Sequence, residues 1–93
     1  MMSKIPVDLT RLSKESVDKE ILRTAMIAEL DAISLYEQLA AMTQNKDLKA
    51  VLLDIAKEEK THAGEFQALL LRLDPEQEKE LAAGRKEVED LVE

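Results

Sequence analysis

The chain has 93 residues, enough for one small domain with a modest core, so we expect association between copies to add stability. Its net charge of −7 argues against a nucleic-acid partner or an anionic membrane surface and suits a protein that attracts cations. Cysteine is absent, which excludes disulfides, thiolate metal sites and cysteine nucleophiles and leaves carboxylates and a single histidine for metal chemistry.

Residues 1–12 show no sustained hydrophobic period, and we interpret them as an extended arm. They lack the apolar core of a signal peptide, and no apolar run has the length of a membrane span, so we expect a cytoplasmic protein without a membrane partner. With only two glycines and two prolines, the composition favours helices throughout. We therefore predict one all-α domain over residues 1–93.

The first helix is predicted over residues 13–43, with Ser13 as its N-cap. One face repeats in steps of four and three residues, as in a helix bundle. That face consists of Leu22, Met26, Glu29, Ile33, Tyr36 and Ala40. Glu29 is its only charged member and therefore stands out by position.

A polar turn over residues 44–47 follows, and so short a connection predicts an antiparallel hairpin. Asn45 suits a left-handed turn position, and Asn45 or Asp47 suits the cap of the next helix. The second helix is predicted over residues 47–73. Its apolar seam consists of Leu52, Ile55, Glu59, His62, Phe66, Leu69 and Leu73. Glu59 and His62 are the polar interruptions of this seam.

The third helix is predicted over residues 75–91. Asp74 suits its cap, Pro75 fits the first helical turn, and Gln77 occupies the position of a capping box. Leu81 and Val88 lie on one side among many charges, which is typical of a helix that docks on another surface.

Glu29, Glu59 and His62 should lie close together. Glu29 precedes the turn by about sixteen residues and Glu59 follows it by about fourteen, so all three lie roughly 21 to 26 Å from the bend. A buried carboxylate needs a proton, a partner or a cation. A di-iron or di-manganese bundle takes a lone Glu from each of two helices and a Glu-x-x-His pair from each of two others. One chain supplies half of this set, so we predict a two-fold homodimer that forms a four-helix bundle around two metal ions.

The chain resembles the encapsulated ferritins, especially their archaeal and thermophilic members, some of which are fused to the encapsulin shell protein. The resemblance rests on AELDAISLYEQ over residues 28–38, AKEEKTHAGE over residues 56–65 and LLRLDPEQ over residues 70–77. It implies a ferroxidase centre between two subunits, an annular decamer of such dimers, and an encapsulin nanocompartment as partner.

The resemblance also implies roles for single residues. Glu29, Glu59 and His62 match the family's metal ligands, Tyr36 matches a tyrosine beside the centre, and Asp31 matches an acid that guides iron inward. Ala28 stands where the family can have a second acid. The chain ends at Glu93 without the Gly- and Leu-containing tail that free-standing members use to dock to the shell, so we expect either a cut fusion or a cargo signal elsewhere.

We interpret the chain as a ferroxidase that binds two irons per dimer, with Glu59 as the bridging carboxylate. One alternative is a rubrerythrin-like peroxide reductase, although no cysteine is present for an electron-delivery centre. The other is a non-catalytic helical oligomer stabilised by metal. Manganese, zinc or calcium are possible substitutes for iron.

Overall fold

The computed structural model describes residues 13–92, so the arm expected for residues 1–12 lies outside the described part of the chain. Residues 13–92 form three α-helices and no strand, which confirms the all-α fold class. Helix α1 spans Lys14–Met42, α2 spans Lys46–Leu73 and α3 spans Pro75–Val92. No end differs by more than one residue from the predicted bounds.

Side-chain caps begin the first two helices. The Ser13 hydroxyl accepts from the Ser16 N–H at 3.3 Å, and Asn45 Oδ1 accepts from the Leu48 N–H at 3.0 Å. The left-handed position considered for Asn45 is wrong, because its φ is −79°. An N-cap residue has an extended backbone so that its side chain can reach the first free N–H groups of the helix.

Asp74 alone separates α2 from α3. Its N–H donates to the Leu70 carbonyl at 2.9 Å, which ends α2, and its Oδ1 accepts from the Gln77 N–H at 3.1 Å, which begins α3. The predicted cap is therefore present. The reciprocal half of a capping box is not, because the N–H of Asp74 already donates to Leu70.

Helices α1 and α2 pack as the predicted antiparallel hairpin. The buried side chains of α1 are Leu22, Ile33 and Ala40, all from the predicted apolar face, and those of α2 are Ala56 and Leu70. The predicted seam of α2 is only partly correct, because Leu69 remains 48% exposed. Successive residues lie about 100° apart around a helix. Because α2 contacts α1 through Ala56 and Leu70, the seam, whose members lie at other positions around α2, faces the side of the hairpin and not α1.

Helix α3 projects from the hairpin. It contacts α2 but contains no fully buried residue. The molecule measures 47 × 42 × 20 Å, and its radius of gyration is 16.5 Å, against about 12 Å for a compact domain of this length. Among the described residues, no helix is long and apolar enough to cross a membrane.

Candidate metal centre

Three side chains meet on the hairpin: Glu29 of α1, and Glu59 and His62 of α2. His62 Nδ1 lies 3.7 Å from Glu29 Oε2 and 3.6 Å from Glu59 Oε2. One ligand atom from each residue lies within 4.8 Å of the others. The structure therefore brings together the three residues that the sequence pattern singled out.

The helices position these side chains through simple geometry. Glu59 and His62 are three residues apart, so they are neighbours on one face of α2. The antiparallel pairing of the hairpin brings α1 alongside at the level of Glu29. Ile33, one turn further along α1, is buried between the helices and anchors the α1 side of the site.

The electrostatics of the site are unbalanced. The Glu29 and Glu59 side chains are 17% and 21% exposed, whereas His62 is 45% exposed. Glu29 Oε2 is buried and has no hydrogen-bond partner, and it is the only such atom among the side chains that the structure describes. A buried acceptor without a partner is unfavourable, and a cation beside two carboxylate oxygens and an imidazole nitrogen would satisfy it. Hard oxygen donors with imidazole suit iron, manganese or zinc.

One chain supplies only part of a bundle metal site, and the surface around the site is apolar. Along α1 runs a set of residues spaced by four, three, four, three and four that sequence reasoning missed. This site-side stripe consists of Ile21, Ala25, Ala28, Ala32, Leu35 and Leu39. Its large members, Ile21, Leu35 and Leu39, are exposed. The same heptad spacing that revealed the first face of α1 was sufficient to find it.

The seam of α2 lies on the same side of the hairpin as the site-side stripe. The stripe is turned by about 100° from the buried face of α1, and His62 by about 100° from Ala56 and Leu70 on α2. The two offsets have the same sense about their own helix axes. Because α1 and α2 are antiparallel, they place the site-side stripe and His62 on the same side of the hairpin. The exposed part of His62 therefore lies in an apolar surface that one chain leaves uncovered, and a second hairpin there would cover it.

Two further residues considered from the sequence lie outside this cluster. Tyr36 is half-buried and seven residues from Glu29, about 10.5 Å along α1. Among the described residues its hydroxyl makes no hydrogen bond with the site. Asp31 is two residues from Glu29, about 200° around α1, so it points away from the cluster.

Comparison with known proteins yields consistent relatives. The Rubrerythrin family model matches residues 20–92. The ferritin-like-encapsulin shell fusion protein of Pyrococcus furiosus is 60% identical over 73 residues, which are 78% of this chain and 21% of that protein. The encapsulin nanocompartment cargo protein EncC of Myxococcus xanthus is 43% identical over 67 residues, 69% of this chain and 52% of that protein. The chain thus spans about a fifth of the length of the Pyrococcus furiosus protein and about half of the length of EncC.

The fold of this chain is similar to that of a solved crystal structure. The crystal structure of the encapsulated ferritin domain from Pyrococcus furiosus superposes with a TM-score of 0.85 at 48% identity, covering 99% of this chain and 96% of that domain. The similarity therefore extends over all three helices.

Proposed function

We propose that this chain, which belongs to the rubrerythrin family and within it to the encapsulated ferritins, is a ferroxidase that oxidises Fe(II) with O2 at a site shared by two copies. The observation that carries the proposal is the buried Glu29 Oε2, which has no hydrogen-bond partner and faces His62 and Glu59. A cation is the simplest group that satisfies all three side chains.

Charge and ligand number favour a shared site. Two copies related by a two-fold axis would contribute four carboxylates and two imidazoles, and four negative charges balance two divalent cations. The site-side stripe and the seam of α2 would be buried in the same contact. Dimerisation would therefore complete the site and cover its apolar surroundings together.

Each ligand has a distinct part in this proposal. Glu29 would bind one iron, Glu59 would bridge both, and His62 Nδ1 would bind beside Glu59. When bound, the two Fe(II) would together supply two electrons, which with two protons from water reduce O2 to hydrogen peroxide and leave two Fe(III). The protein holds the two irons close together and balances their charge. It also limits the access of water to the positions on the irons that O2 must reach. Tyr36, as a hydroxyl near the centre, and Asp31, on the route of iron entry, belong to the proposal through family resemblance.

The partner in this proposal is an encapsulin shell. The two curated relatives are named as a fusion to such a shell and as its cargo. A ferroxidase without an enclosed volume cannot keep ferric mineral from aggregating, and three short helices per chain suit an open assembly, such as an annular decamer, better than a closed cage. Storage would then take place in the shell's interior.

Oxidation of iron tests the proposal directly. Metal-free protein receives two Fe(II) per dimer without air, and then either O2 or hydrogen peroxide. We expect a rapid rise of ferric-oxo absorbance with O2. Rapid oxidation with peroxide alone would instead indicate a peroxide reductase, and a colourless site that retains zinc or calcium would indicate a structural metal.

Storage is tested by loading the protein aerobically with a large excess of Fe(II) and sizing the products. We expect fast oxidation followed by precipitation of iron. Soluble mineral cores that stay bound to the protein would contradict the requirement for a shell.

A further inference from the structure

The methionines of this chain differ in their exposure and in their distance from the metal centre. The chain has four methionines and no cysteine, and Met1 and Met2 lie outside the described residues. Met26 lies three residues before Glu29 on α1, whereas Met42 lies at the end of α1, about 19.5 Å beyond Glu29. Met42 is 78% exposed, and Met26 is half-buried. Exposure therefore favours Met42 as the target of an oxidant in solution, and position favours Met26 as the target of an oxidant made at the centre.

Met26 and Glu29 are neighbours on one face of α1. Residues three apart on a helix have Cβ atoms about 5–6 Å apart. Side chains on a helix also lean toward its N-terminus, so the Glu29 carboxylate lies over the turn that contains Met26. Oε2 of this carboxylate is the buried oxygen without a hydrogen-bond partner, 3.7 Å from His62 Nδ1. The thioether of Met26 is thus about one helical turn from the position proposed for the irons.

Met26 also faces open space. It lines an outer groove of about 420 Å³ between the three helices, together with residues that include Leu30 and Leu70. Leu30 lies two residues from Ala32 of the site-side stripe and therefore about 160° away around α1. A second hairpin on the site-side stripe does not cover the outer groove. The polar oxygen of a sulfoxide at Met26 has room there without entering the contact between α1 and α2.

We propose that the Met26 thioether captures hydrogen peroxide made at the metal centre and is converted to methionine sulfoxide. The inference rests on the proposed function, because iron oxidation supplies the peroxide. The sulfur lone pair forms the new S–O bond while the O–O bond of the peroxide breaks. Sulfur loses two electrons, the peroxide gains them, and one water leaves with both hydrogens. The chain has no thiol that would compete for the peroxide.

Capture at Met26 is limited by the number of thioethers. One peroxide forms for every two Fe(II), and a dimer holds two Met26 side chains, so two successive loads of iron oxidise both of them at most. Peroxide from later loads then escapes into solution. Because a sulfoxide returns to a thioether only through a methionine sulfoxide reductase, an enzyme of that class must restore the capacity of the chain.

A single load of iron tests the capture. The protein receives two Fe(II) per dimer without air, and then O2 enriched in the heavy isotope of oxygen, with catalase present to destroy peroxide that escapes. Ferric-oxo absorbance follows iron oxidation in the same sample, and peptide mass spectrometry locates each sulfoxide. We expect the heavy isotope in the sulfoxide of Met26, in up to half of the chains because one peroxide forms per dimer, and no change at Met42.

Hydrogen peroxide added to the metal-free protein is the matched comparison. Without catalase, Met42 should be oxidised several times faster than Met26, because Met42 is the more exposed. The reversed order of the two methionines distinguishes an oxidant made at the centre from one that arrives from solution. Glu59→Ala, given Fe(II), O2 and catalase, should leave Met26 unmodified.

The peroxide released into solution measures the same capture independently. Met26→Leu conserves the volume of the side chain and removes the sulfur. In the first load without catalase, this variant should release severalfold more peroxide per iron oxidised than the unmodified protein. Met42→Leu is the control and should release as much as the unmodified protein.

Three results would overturn the capture. Iron that is oxidised while Met26 stays unmodified contradicts the capture alone and leaves the proposed ferroxidase intact. Oxygen added to Tyr36 or Phe66 as readily as to Met26 indicates radicals formed by iron and not transfer from peroxide. A protein that oxidises no iron contradicts the proposed function, and the capture fails with it.

Discussion

Replacing Glu29 by Gln should stabilise the metal-free protein while removing its capacity to bind iron. Glu29 Oε2 is buried without a hydrogen-bond partner, and Glu59 Oε2 lies in the same cluster. In a dimer, four such carboxylates would repel one another. An amide of the same size removes the charge and offers a donor to Glu59, so the substitution relieves the repulsion that a bound cation would otherwise relieve.

The magnitude follows from the burial of this group. A buried acceptor without a partner costs about 1–3 kcal/mol, and because Glu29 retains 17% exposure we take about 1–2 kcal/mol. For a chain of this length that gain corresponds to a rise in melting temperature of about 5–10 °C. The unmodified protein should in turn gain about 2.7 kcal/mol when free metal is at 100 times its dissociation constant.

Thermal unfolding followed by circular dichroism, at one protein concentration, measures both effects. In chelator, Glu29→Gln should melt above the unmodified protein, and with anaerobic Fe(II) the order should reverse. Glu65→Gln, an exposed acid on α2, is the matched control and should follow the unmodified protein in both conditions. The reasoning would be refuted if Glu29→Gln melted lower in chelator or gained as much from Fe(II) as the unmodified protein.

Three further predictions concern the site and its support. Glu59→Ala and His62→Ala should each lower the initial rate of iron oxidation by more than about 100-fold, with helix content unchanged. A loss of about 100-fold is the most that is expected from removing a residue that only orients a metal ligand. Glu65→Ala should retain most of the rate. A silent Glu59→Ala together with an inactive Glu65→Ala would contradict the assignment. Leu35→Lys, in the site-side stripe, should prevent dimerisation and iron oxidation together, and a monomer that still oxidised iron would show that one chain suffices. Ile33→Ala should lower the free energy of unfolding by about 2–5 kcal/mol in denaturant titration, because it removes a buried side chain between the helices; a loss below 1 kcal/mol would show that Ile33 does not anchor the hairpin.

The local features of this fold were predictable because they depend on residues close in sequence. Ser13, Asn45 and Asp74 each accept from an N–H three residues later, and such caps fix where helices begin. The clustering of Glu29 with Glu59 and His62 was predictable for a related reason. In a hairpin with a short turn, residue numbers convert directly into heights along the two helices.

The pairing of faces was less predictable. Both helices carry more than one apolar stripe, and sequence spacing alone does not say which stripe faces the other helix. On α1 the site-side stripe was missed because three of its six members are alanines and it lies beside a stronger face. On α2 the chain uses Ala56 and Leu70 for the contact, one position from the predicted seam members Ile55 and Leu69.

The sequence by itself thus determined the helices, their caps, and the three acidic and imidazole side chains that a metal site requires, because periodicity and turn length are local properties. Only the tertiary structure decided that Glu29 Oε2 is left without a partner, which apolar surfaces remain open, and where α3 points. The ion pair between Arg23 of α1 and Asp74, at the start of α3, joins residues that are 51 positions apart in the sequence. A contact between residues so distant exists only after α1 and α2 have packed, so no local pattern in the sequence specifies it.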